Sequence, residues 1–304
     1  LKRLNHGPMT EEALAAIYRE IMSFSISLEK KIKIAYLGPA ATYTHQAAQK
    51  KFGSSVEYTA CGAISDIFSD VERQHAEYGV VPVENSTEGA VNYTLDMFID
   101  SNLKIYAEIY QPIHHYLLSN GVPSGSFSQI YSISQVFGQC RMWLESNCRG
   151  ADLVETASTA EAAQIVANNS NRESIGCVAS QVAAKLYGLH TVAACVEDQA
   201  NNATRFLVIG REEARPTRSD KTSIVFEVKD RSGALHDILV PFKKNRINLT
   251  KIESRPSKKK AWSYYFFVDF EGHHKEPRIK RTLERLSRHC VFLKVLGSYP
   301  KAKP

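Results

Sequence analysis

The sequence has 304 residues, of which 43% are hydrophobic and 23% charged, a composition typical of a globular protein with about two domains. No apolar run reaches the roughly 18 residues that a membrane span needs, and the first residues, LKRLNHGPMTEEAL, lack the apolar segment of a secretory signal. The net charge of +6 is concentrated in residues 211–304, which hold 23 basic and 11 acidic side chains, but no nucleic-acid-binding motif accompanies it. We therefore expect neither a membrane nor a nucleic acid as a partner.

Residues 1–30 predict one amphipathic helix. Thr10 suits the N-cap position, and Glu11 and Glu12 follow it where the positive end of the helix dipole favours acidic side chains. Apolar residues then recur at helical spacing, at Leu14, Ile17, Ile21, Phe24 and Leu28. Because the sequence begins with Leu1 and not with methionine, we expect it to start partway into a longer protein.

Residues 31–212 alternate short apolar runs with helical stretches. The expected strands are KIKIAYL, VEYT, YGVVPV, KIYAEIY, QIYSIS, SIGCVA, TVAACVE and RFLVIG. This alternation predicts an α/β region built on a mainly parallel sheet with helices on both faces. Ligands of such folds bind at the loops beyond the carboxyl ends of the strands.

Three of these loops are rich in hydrogen-bond donors. They are GPAATYTHQAA (38–48), ENSTEGAVNYTLD (84–96) and DQANNATRF (198–206). In the first loop Thr42 or Thr44 can cap the next helix, and in the second loop a helix is expected to start near Glu88. Ser, Thr and Asn residues ahead of a helix often act only as caps. Three such loops together equally suit a pocket for a small anion, so both interpretations stay open at this point.

Residues 221–300 predict strand, helix, strand, strand, helix and strand, the βαββαβ order of a ferredoxin-like α+β module. Residues 213–220 form the expected linker. Gly233 permits a tight turn into the first helix of the module. The basic run 258–260 falls in an expected hairpin loop, where a solvated turn accounts for its charge.

The cysteines indicate a cellular compartment. The chain has six, and most of them lie in apolar surroundings. None belongs to a CxxC pair: Cys61, Cys140, Cys148, Cys177, Cys195 and Cys290. Buried free thiols of a reducing cytoplasm explain this pattern better than a zinc site or a disulfide framework does. We therefore expect a cytoplasmic protein.

Several motifs of the α/β region resemble those of the prephenate dehydratase family. AYLGPAATYTHQAA, GVVPVENSTEGAVNYTLD, PIHHYLL, SQVFGQCRMWL, STAEAAQIVA, IGCVASQVAAKLYGL and NNATRFLVIG occur in the family's order and spacing over residues 32–212. Ala41 stands where many members have Gly, and SISQ (132–135) stands where a His-Pro or Lys-Pro pair commonly precedes the Gln, which affects only the local loop geometry. The resemblance implies a two-lobed, periplasmic-binding-protein-like α/β region with the substrate in the cleft between the lobes.

Both ends of the chain carry further resemblances. The C-terminal module resembles a phenylalanine-sensing ACT regulatory domain, which implies L-phenylalanine as an effector and a homodimer or larger homo-oligomer formed through ACT domains. The implied effector site consists of the GAL and ESRP motifs, namely Gly233, Ala234, Leu235, Glu253, Ser254, Arg255 and Pro256. Residues 1–30 resemble the last helix of an AroQ-type chorismate mutase. Such mutases build their site from several helices, so no mutase activity is expected of this chain.

The resemblance implies that the protein removes carbon dioxide and water from prephenate, giving phenylpyruvate for phenylalanine biosynthesis. No metal or other cofactor is expected, because formation of the aromatic ring drives the reaction. The implied catalytic residues are Thr204, Asn202, Arg205, Glu84, Asn85 and Ser86. The implied substrate-binding residues are Thr42, Thr94, His115, Gln139, Ser180 and Phe206.

Within this set, Thr204 is expected to donate a hydrogen bond to the departing hydroxyl, and Arg205 to offer paired donors to a carboxylate. His114 and His115 are neighbours on an expected strand, so at most one of them faces the cleft. They are not expected to bind a metal, because no third ligand lies at a usable spacing.

Two alternative functions remain. An arogenate dehydratase acts on a substrate that differs only by an amino group in place of the side-chain keto oxygen, and one sequence does not separate the two. A catalytically silent amino-acid sensor would keep the same folds. The intact NATRF motif argues against the sensor, because a sensor does not need the Thr204 hydroxyl.

Overall fold

The computed structural model describes residues 5–29, 31–121, 126–169, 174–229, 231–257 and 263–302. They form two compact units. The first comprises the described residues within 1–63, 85–88 and 111–204, and the second those within 64–84, 89–110 and 205–304. The second unit therefore combines part of the α/β region with the βαββαβ module.

The helices and strands follow one another as the sequence analysis expects, with some additions. In chain order they are α1 (Glu11–Glu29), β1 (Lys33–Leu37), α2 (Tyr43–Phe52), β2 (Glu57–Cys61), α3 (Ile64–Glu72), β3 (Tyr78–Asn85), β4 (Gly89–Ala90), α4 (Asn92–Asp100), β5 (Lys104–Pro112), β6 (Tyr116–Ser119), β7 (Gln129–Ser132), α5 (Ser134–Gln139), α6 (Arg141–Asn147), β8 (Asp152–Glu155), α7 (Thr159–Asn168), β9 (Ile175–Ala179), α8 (Gln181–Tyr187), β10 (His190–Ala194), β11 (Ala203–Gly210), β12 (Asp220–Val228), α9 (Ala234–Lys244), β13 (Leu249–Pro256), β14 (Tyr264–Glu271), α10 (Pro277–Ser287) and β15 (Cys290–Pro300). The helix expected near Glu88 begins only at Asn92, because Gly89 and Ala90 first pair with β3. In the described part of the chain, no helix has the length and apolar character needed to cross a membrane.

The first unit contains a five-stranded sheet in the order β10-β6-β9-β7-β8. Strands β7, β8 and β9 are parallel, as expected, whereas β6 is antiparallel to both of its neighbours. Apolar side chains cover both faces of β9. Cys177 packs with residues of α7 and α8, and the adjacent Val178 packs with residues of α5 and α6. The expected α/β arrangement is thus confirmed for this sheet, with one antiparallel strand added.

Helix α1 contacts the rest of the first unit through polar side chains. The Glu20 carboxylate accepts hydrogen bonds from the Ser54 backbone N–H (2.9 Å) and hydroxyl (2.6 Å), and the buried Ser23 hydroxyl accepts one from the Ser55 N–H (3.1 Å). The apolar residues that predicted the helix include Phe24 and Leu28, which are 58% and 72% exposed. The helix is therefore held by its polar side, and its apolar residues remain accessible to solvent.

The second unit contains two groups of strands. Strands β3, β11 and β5 are neighbours in that order, and the module forms a four-stranded antiparallel sheet in the order β13-β14-β12-β15. Helices α9 and α10 pack on this sheet around a core that includes Phe226, Phe242 and Phe270. The predicted βαββαβ module is confirmed.

Strand β15 of the module lies directly against β5. Backbone atoms approach so closely at Gly297 that an added Cβ would lie 2.4 Å from the Ile105 carbonyl oxygen. One lysine from each strand stabilises this contact. Lys104 Nζ donates to the Val295 carbonyl (3.0 Å), and Lys294 Nζ donates to the Phe98 (3.0 Å) and Ile99 (3.1 Å) carbonyls near the end of α4. Only glycine permits this approach.

We predict that Gly297→Ala lowers the free energy of unfolding by about 1–3 kcal/mol, because rigid backbone leaves no room for the new methyl group. Gly138→Ala is the control, since a Cβ at Gly138 has no atom within 4 Å. That change should be neutral or stabilising by up to about 1 kcal/mol, because alanine favours helix. Urea denaturation of both variants measures the difference, and equal stabilities would contradict the prediction.

Candidate active site

Two motifs of the sequence meet in the first unit where β3 ends and β11 begins. The Ser86 N–H donates to the Ala203 carbonyl (2.9 Å). The Ser86 hydroxyl donates to the Asn201 carbonyl (3.2 Å) and accepts from the Ala203 N–H (3.0 Å). Ser86 therefore joins the ENSTEG and NATRF segments by hydrogen bonds, and its hydroxyl already donates to and accepts from backbone groups.

Asn85 is fixed in one orientation by its hydrogen bonds. Its Oδ1 accepts from the Thr87 N–H (2.9 Å), the Thr87 hydroxyl (2.6 Å) and the Glu88 N–H (3.2 Å). Three donors on one oxygen require the Nδ2 group to face the other way, where it donates to Asn202 Oδ1 (3.1 Å) and Thr204 Oγ1 (2.9 Å). Both hydrogens of the Asn85 amide are thus used.

The Thr204 hydroxyl accepts a hydrogen bond and keeps its own proton. Among the described residues its recorded partner is Asn85 Nδ2, which can only donate. A hydroxyl that accepts one hydrogen bond becomes a better donor of the next, because the bonds polarise one another. Thr204 is therefore a donor available to a bound molecule.

Gln139 connects Asn202 to a buried histidine. Its Oε1 accepts from Asn202 Nδ2 (3.0 Å) and lies 2.8 Å from His115 Nε2, so this ring nitrogen carries the proton. His115 is 1% exposed, and burial lowers the pKa of its imidazole from the usual 6.5, although the hydrogen bond to Gln139 opposes the shift. The ring is therefore neutral near pH 7. Tyr43 stands on its other side, with its hydroxyl donating to the His114 carbonyl (2.7 Å).

A cleft of about 640 Å³ adjoins this network in the first unit. Its lining includes Ser86, Thr87, Gln139, Arg141, Glu197 and Asn202. The polar network therefore borders a space large enough for a small organic ligand. Sequence reasoning did not single out Thr87, Tyr43 and Glu197. Thr87 is part of ENSTEG and Tyr43 is part of GPAATYTHQAA, whereas Glu197 ends the expected strand TVAACVE with nothing to mark it as a site residue.

Three of the expected substrate-binding residues have hydroxyls that serve the backbone. Thr42 caps α2, accepting from the His45 N–H (3.3 Å) and donating to the Leu37 carbonyl (2.9 Å). Ser180 caps α8, accepting from the Ala183 N–H (3.1 Å). Thr94 is fully buried and donates to the Pro82 carbonyl (2.6 Å). The hydroxyls of Thr42 and Ser180 thus act as helix caps, whereas the Thr94 hydroxyl joins α4 to β3.

Ala41 explains why many family members have glycine at its position. Its φ is 66°, in the left-handed region that disfavours side chains. The Ala41 N–H donates to His45 Nδ1 (3.1 Å), and its carbonyl accepts from the Ser180 hydroxyl (3.3 Å). Local contacts hold alanine in this conformation.

Arg205 and Glu84 have partners other than the substrate groups expected from the sequence. Both lie in the second unit, where the Arg205 guanidinium binds Glu108 (2.9 Å), Asp269 (2.6 Å) and Tyr299 (3.0 Å). The Glu84 carboxylate lies 2.9 Å from Lys251 Nζ. The physical reason is strand geometry: Arg205 follows Thr204 directly, so the two side chains point to opposite faces of β11. Phe206, also expected to bind substrate, is a core residue of the same unit and is 2% exposed.

Two potential metal ligands, Cys195 and Glu197, lie close to His114 in the structure, although they are distant from it in the sequence. The ligand atoms of His114, Cys195 and Glu197 lie within 4.8 Å of one another. The contacts here are hydrogen bonds: Glu197 Oε1 lies 2.8 Å from His114 Nδ1, and Oε2 accepts from the His115 N–H (2.9 Å). Burial raises the pKa of the Glu197 carboxyl, but these hydrogen bonds outweigh it, so the pKa is lowered. Glu197 thereby orients the backbone that carries His115.

The expected effector residues occupy two positions in the module. Gly233 is the N-cap of α9 with a φ of 76°, and a Cβ added there meets no atom within 4 Å. Glu253, Ser254 and Pro256 lie on the edge strand β13. The Arg255 guanidinium binds Asp96 of α4 at 3.2–3.3 Å.

We predict that His115 makes the protein less stable below neutral pH. In the unfolded chain the imidazole takes up a proton near pH 6.5, whereas the folded protein keeps it neutral to lower pH. The unfolded state then binds more protons, so the free energy of unfolding falls as the pH drops through 6.5. The contribution is at most about 1.4 kcal/mol between pH 7.5 and 5.5.

The matched variant is His115→Gln, which retains a donor toward Gln139 but does not titrate. Urea denaturation at both pH values should show a smaller loss of stability for the variant than for the wild type. The same loss in both proteins would exclude His115 as the source.

The fold and the site together indicate the class of protein. An α/β region with a donor-rich network at its strand ends, followed by a ferredoxin-like module, is typical of an enzyme carrying a small regulatory domain. Residues 34–214 match the prephenate dehydratase family, and residues 222–288 match the ACT domain family. The chain therefore belongs to the prephenate dehydratase family.

Individual relatives agree with this assignment. A bifunctional chorismate mutase/prephenate dehydratase of Aquifex aeolicus is 54% identical over 301 residues, which cover 99% of this chain and 82% of that protein. A prephenate dehydratase of Methanocaldococcus jannaschii is 38% identical over 88% of this chain and 97% of its own length. A solved prephenate dehydratase of Arthrobacter aurescens in complex with L-Phe has a TM-score of 0.81 at 30% identity, covering 89% of this chain and 90% of that one. The expected enzyme and its fold class are confirmed.

Proposed function

We propose that the chain removes carbon dioxide and water from prephenate at the Asn85–Thr204 pair and that L-phenylalanine regulates this activity through the ACT domain. One observation carries the catalytic part: the Thr204 hydroxyl accepts from Asn85 and retains its own proton for a ligand. The departing ring hydroxyl of prephenate needs such a donor.

The reaction breaks a carbon–carbon bond and a carbon–oxygen bond. As carbon dioxide leaves, the electron pair of the first bond moves into the ring and expels the hydroxyl group, which takes up a proton to become water. Thr204 donates a hydrogen bond that strengthens as the leaving oxygen gains charge. The proton itself comes from solvent, because free threonine is too weak an acid to supply it in advance.

The polar network near Thr204 consists of neutral groups. Asn85, Asn202 and Gln139 are amides, and burial keeps His115 uncharged near pH 7. Fixed neutral dipoles stabilise the leaving oxygen without holding the carboxylate that must leave as a neutral molecule. Asn202 is 3% exposed, so its contacts form away from water, where they are stronger.

We predict that Thr204→Val reduces kcat by roughly 100-fold or more while KM changes much less, because the variant keeps the shape and loses the donor. Asn85→Asp is the second test. The new carboxylate would accept the Thr204 proton and remove it from the substrate, with a similar loss of kcat. Steady-state assays that follow phenylpyruvate formation measure both effects.

Thr59→Val is the matched control, since it makes the same change at an exposed position on strand β2 of the same unit. It should keep the wild-type kcat. Wild-type turnover by Thr204→Val would remove the hydroxyl from the mechanism. Supplying prephenate and arogenate to the same preparation decides between the two substrates: phenylpyruvate is the expected product, and phenylalanine formed from arogenate alone would favour the alternative.

The regulatory part of the proposal rests on the ACT module. Helix α9 begins at the exposed Gly233, where backbone N–H groups and the positive end of the helix dipole suit the carboxylate of an amino acid. Strand β13 is an edge strand with alternate side chains exposed, which suits pairing with a second copy. We therefore propose a homodimer formed through ACT domains, with L-phenylalanine bound at their interface.

We predict that L-phenylalanine inhibits the full-length chain and that Gly233→Asn weakens this inhibition while sparing basal activity. Asparagine tolerates a left-handed backbone, so the turn is kept while its side chain enters the space beside the helix end. Calorimetry and inhibition assays test this. Calorimetry showing no phenylalanine binding to the wild-type chain would refute the regulatory proposal and leave the dehydratase assignment intact.

We also propose domain limits and a location. The limits are 1–30 for a chorismate mutase-like helix, 31–212 for the dehydratase domain, 213–220 for the linker and 221–300 for the ACT domain. The family matches over 34–214 and 222–288 support the last three. Six free cysteine thiols favour a reducing cytoplasm.

A further inference from the structure

Two residues that the ACT domain binds are chain neighbours of the proposed catalytic pair. Glu84 precedes Asn85 at the end of β3, and Arg205 follows Thr204 at the start of β11. Successive side chains of a strand point to opposite faces. Glu84 and Arg205 therefore project away from the hydrogen bond that joins Asn85 to Thr204.

Arg205 is held on all sides. Its side chain is 5% exposed, and its three nitrogens donate to Glu108 of β5, Asp269 of β14 and Tyr299 of β15. Two of these three partners belong to the ACT domain. Arginine stays charged under all ordinary conditions, so each partner is required to compensate the buried charge.

The ACT partners of Arg205 are themselves fixed by one serine. The Ser223 hydroxyl donates to Asp269 Oδ1 (2.5 Å) and lies 2.6 Å from the Tyr299 hydroxyl. Since the serine proton is used on Asp269, Tyr299 must donate to Ser223 and accept from Arg205. Burial raises the pKa of Tyr299 well above 10, and the Asp269 charge adds to this effect, so the phenol keeps its proton. The cluster has one consistent set of hydrogen positions.

Glu84 is paired with two cations, Arg205, whose Nη1 lies 3.9 Å from Glu84 Oε2, and a lysine of the ACT domain. Lys251 Nζ of β13 lies 2.9 Å from Glu84 Oε2, and the Lys251 side chain is 11% exposed. Lys251, Arg205 and Asp269 together line one small cavity of about 20 Å³. The ACT domain thus places one cation and one anion on the residues that flank the catalytic pair.

We propose that Glu84 and Arg205 are positioning residues through which Lys251 and Asp269 of the ACT domain set the distance between Asn85 Nδ2 and Thr204 Oγ1. This inference rests on the proposed role of Thr204. The catalytic hydrogen bond spans two strands, so it depends on the relative placement of β3 and β11, and each strand is secured one residue away from it.

The effect on turnover is expected to be large for a contact remote from the substrate. Displacing a catalytic group by about 1 Å can cost roughly 100-fold in rate. The same contacts connect the conformation of the ACT domain with the hydrogen bond of Thr204. Lys251 and Asp269 bind residues of β3 and β11, and these two strands also carry Asn85 and Thr204.

The test uses the full-length chain and compares kcat with KM. Lys251→Met keeps the side-chain volume and removes the charge, and Glu84, whose side chain is 38% exposed, stays hydrated, so the variant is expected to fold. We expect kcat to fall by roughly 10- to 100-fold with KM changed less than about twofold. Asp269→Asn should also lower kcat, whereas Lys251→Arg, which keeps the positive charge, should retain most of the wild-type kcat.

Asp96→Asn is the matched control. It weakens another ion pair between the ACT domain and the α/β region, in which Arg255 Nη2 lies 3.2 Å from Asp96, but Asp96 is on α4 and not on β3 or β11. It should leave kcat unchanged. Wild-type kcat in Lys251→Met, or an equal loss in Asp96→Asn, would overturn the proposal. The second result would mean that any loosening of the domain contact lowers activity.

A double-mutant cycle shows whether Lys251 acts through Glu84. Combining Glu84→Gln with Lys251→Met should cost no more than the larger single effect, and multiplied losses would overturn the proposal. Thr204→Val separates this inference from the proposed function. If Thr204→Val loses activity and Lys251→Met does not, the positioning role alone fails; if Thr204→Val keeps wild-type turnover, the proposed mechanism fails with it.

Discussion

The buried guanidinium of Arg205 joins the α/β part of the second unit to the ACT domain. It is compensated by Glu108 from the α/β region and by Asp269 and Tyr299 from the ACT domain, so neither part alone satisfies it. Removing one partner of such a buried charge typically costs about 3–5 kcal/mol. The approach of β15 to β5 at Gly297 surrounds the cluster with close backbone packing. The two parts of this unit, separable in the sequence, therefore share one interior.

The catalytic network follows a different principle, since it is made of neutral donors. The hydrogen bonds of Asn85 fix its orientation, and the Thr204 hydroxyl accepts one of them while keeping its own proton for a ligand. A network of neutral groups suits a reaction that expels a neutral molecule and a hydroxyl from one substrate. Charged groups are present nearby in the sequence, but the strand period directs them to the opposite face, where they stabilise the fold.

The sequence predicted the eight strands marked by apolar runs and the order of the ACT module, because burial leaves a strong periodic signal. The apolar runs did not include β4, β6 and β8. The first two have only two and four residues, and β8, DLVE, is largely exposed and shows no apolar run. The expectation that His114 and His115 are neighbours on a strand was wrong, because both lie between β5 and β6, although only His115 is buried. The strand period does apply to Thr204 and Arg205. Recognising the partners of Arg205 required contacts with Asp269 and Tyr299, more than sixty residues further along the chain, which no local pattern reveals.

The contact between β15 and β5 limits how such proteins can exchange domains. The linker at 213–220 looks like a natural point for recombination, yet an incoming domain must bring a glycine, a phenol, a carboxylate and a lysine in matching positions. A graft that recognises a different amino acid but lacks this inner face would leave Arg205 with Glu108 but without Asp269 and Tyr299. The proposed effector site lies on the exposed side of the module, at the α9 turn and the β13 edge, so its specificity is free to diverge while the inner side keeps its fit to β3, β5 and β11.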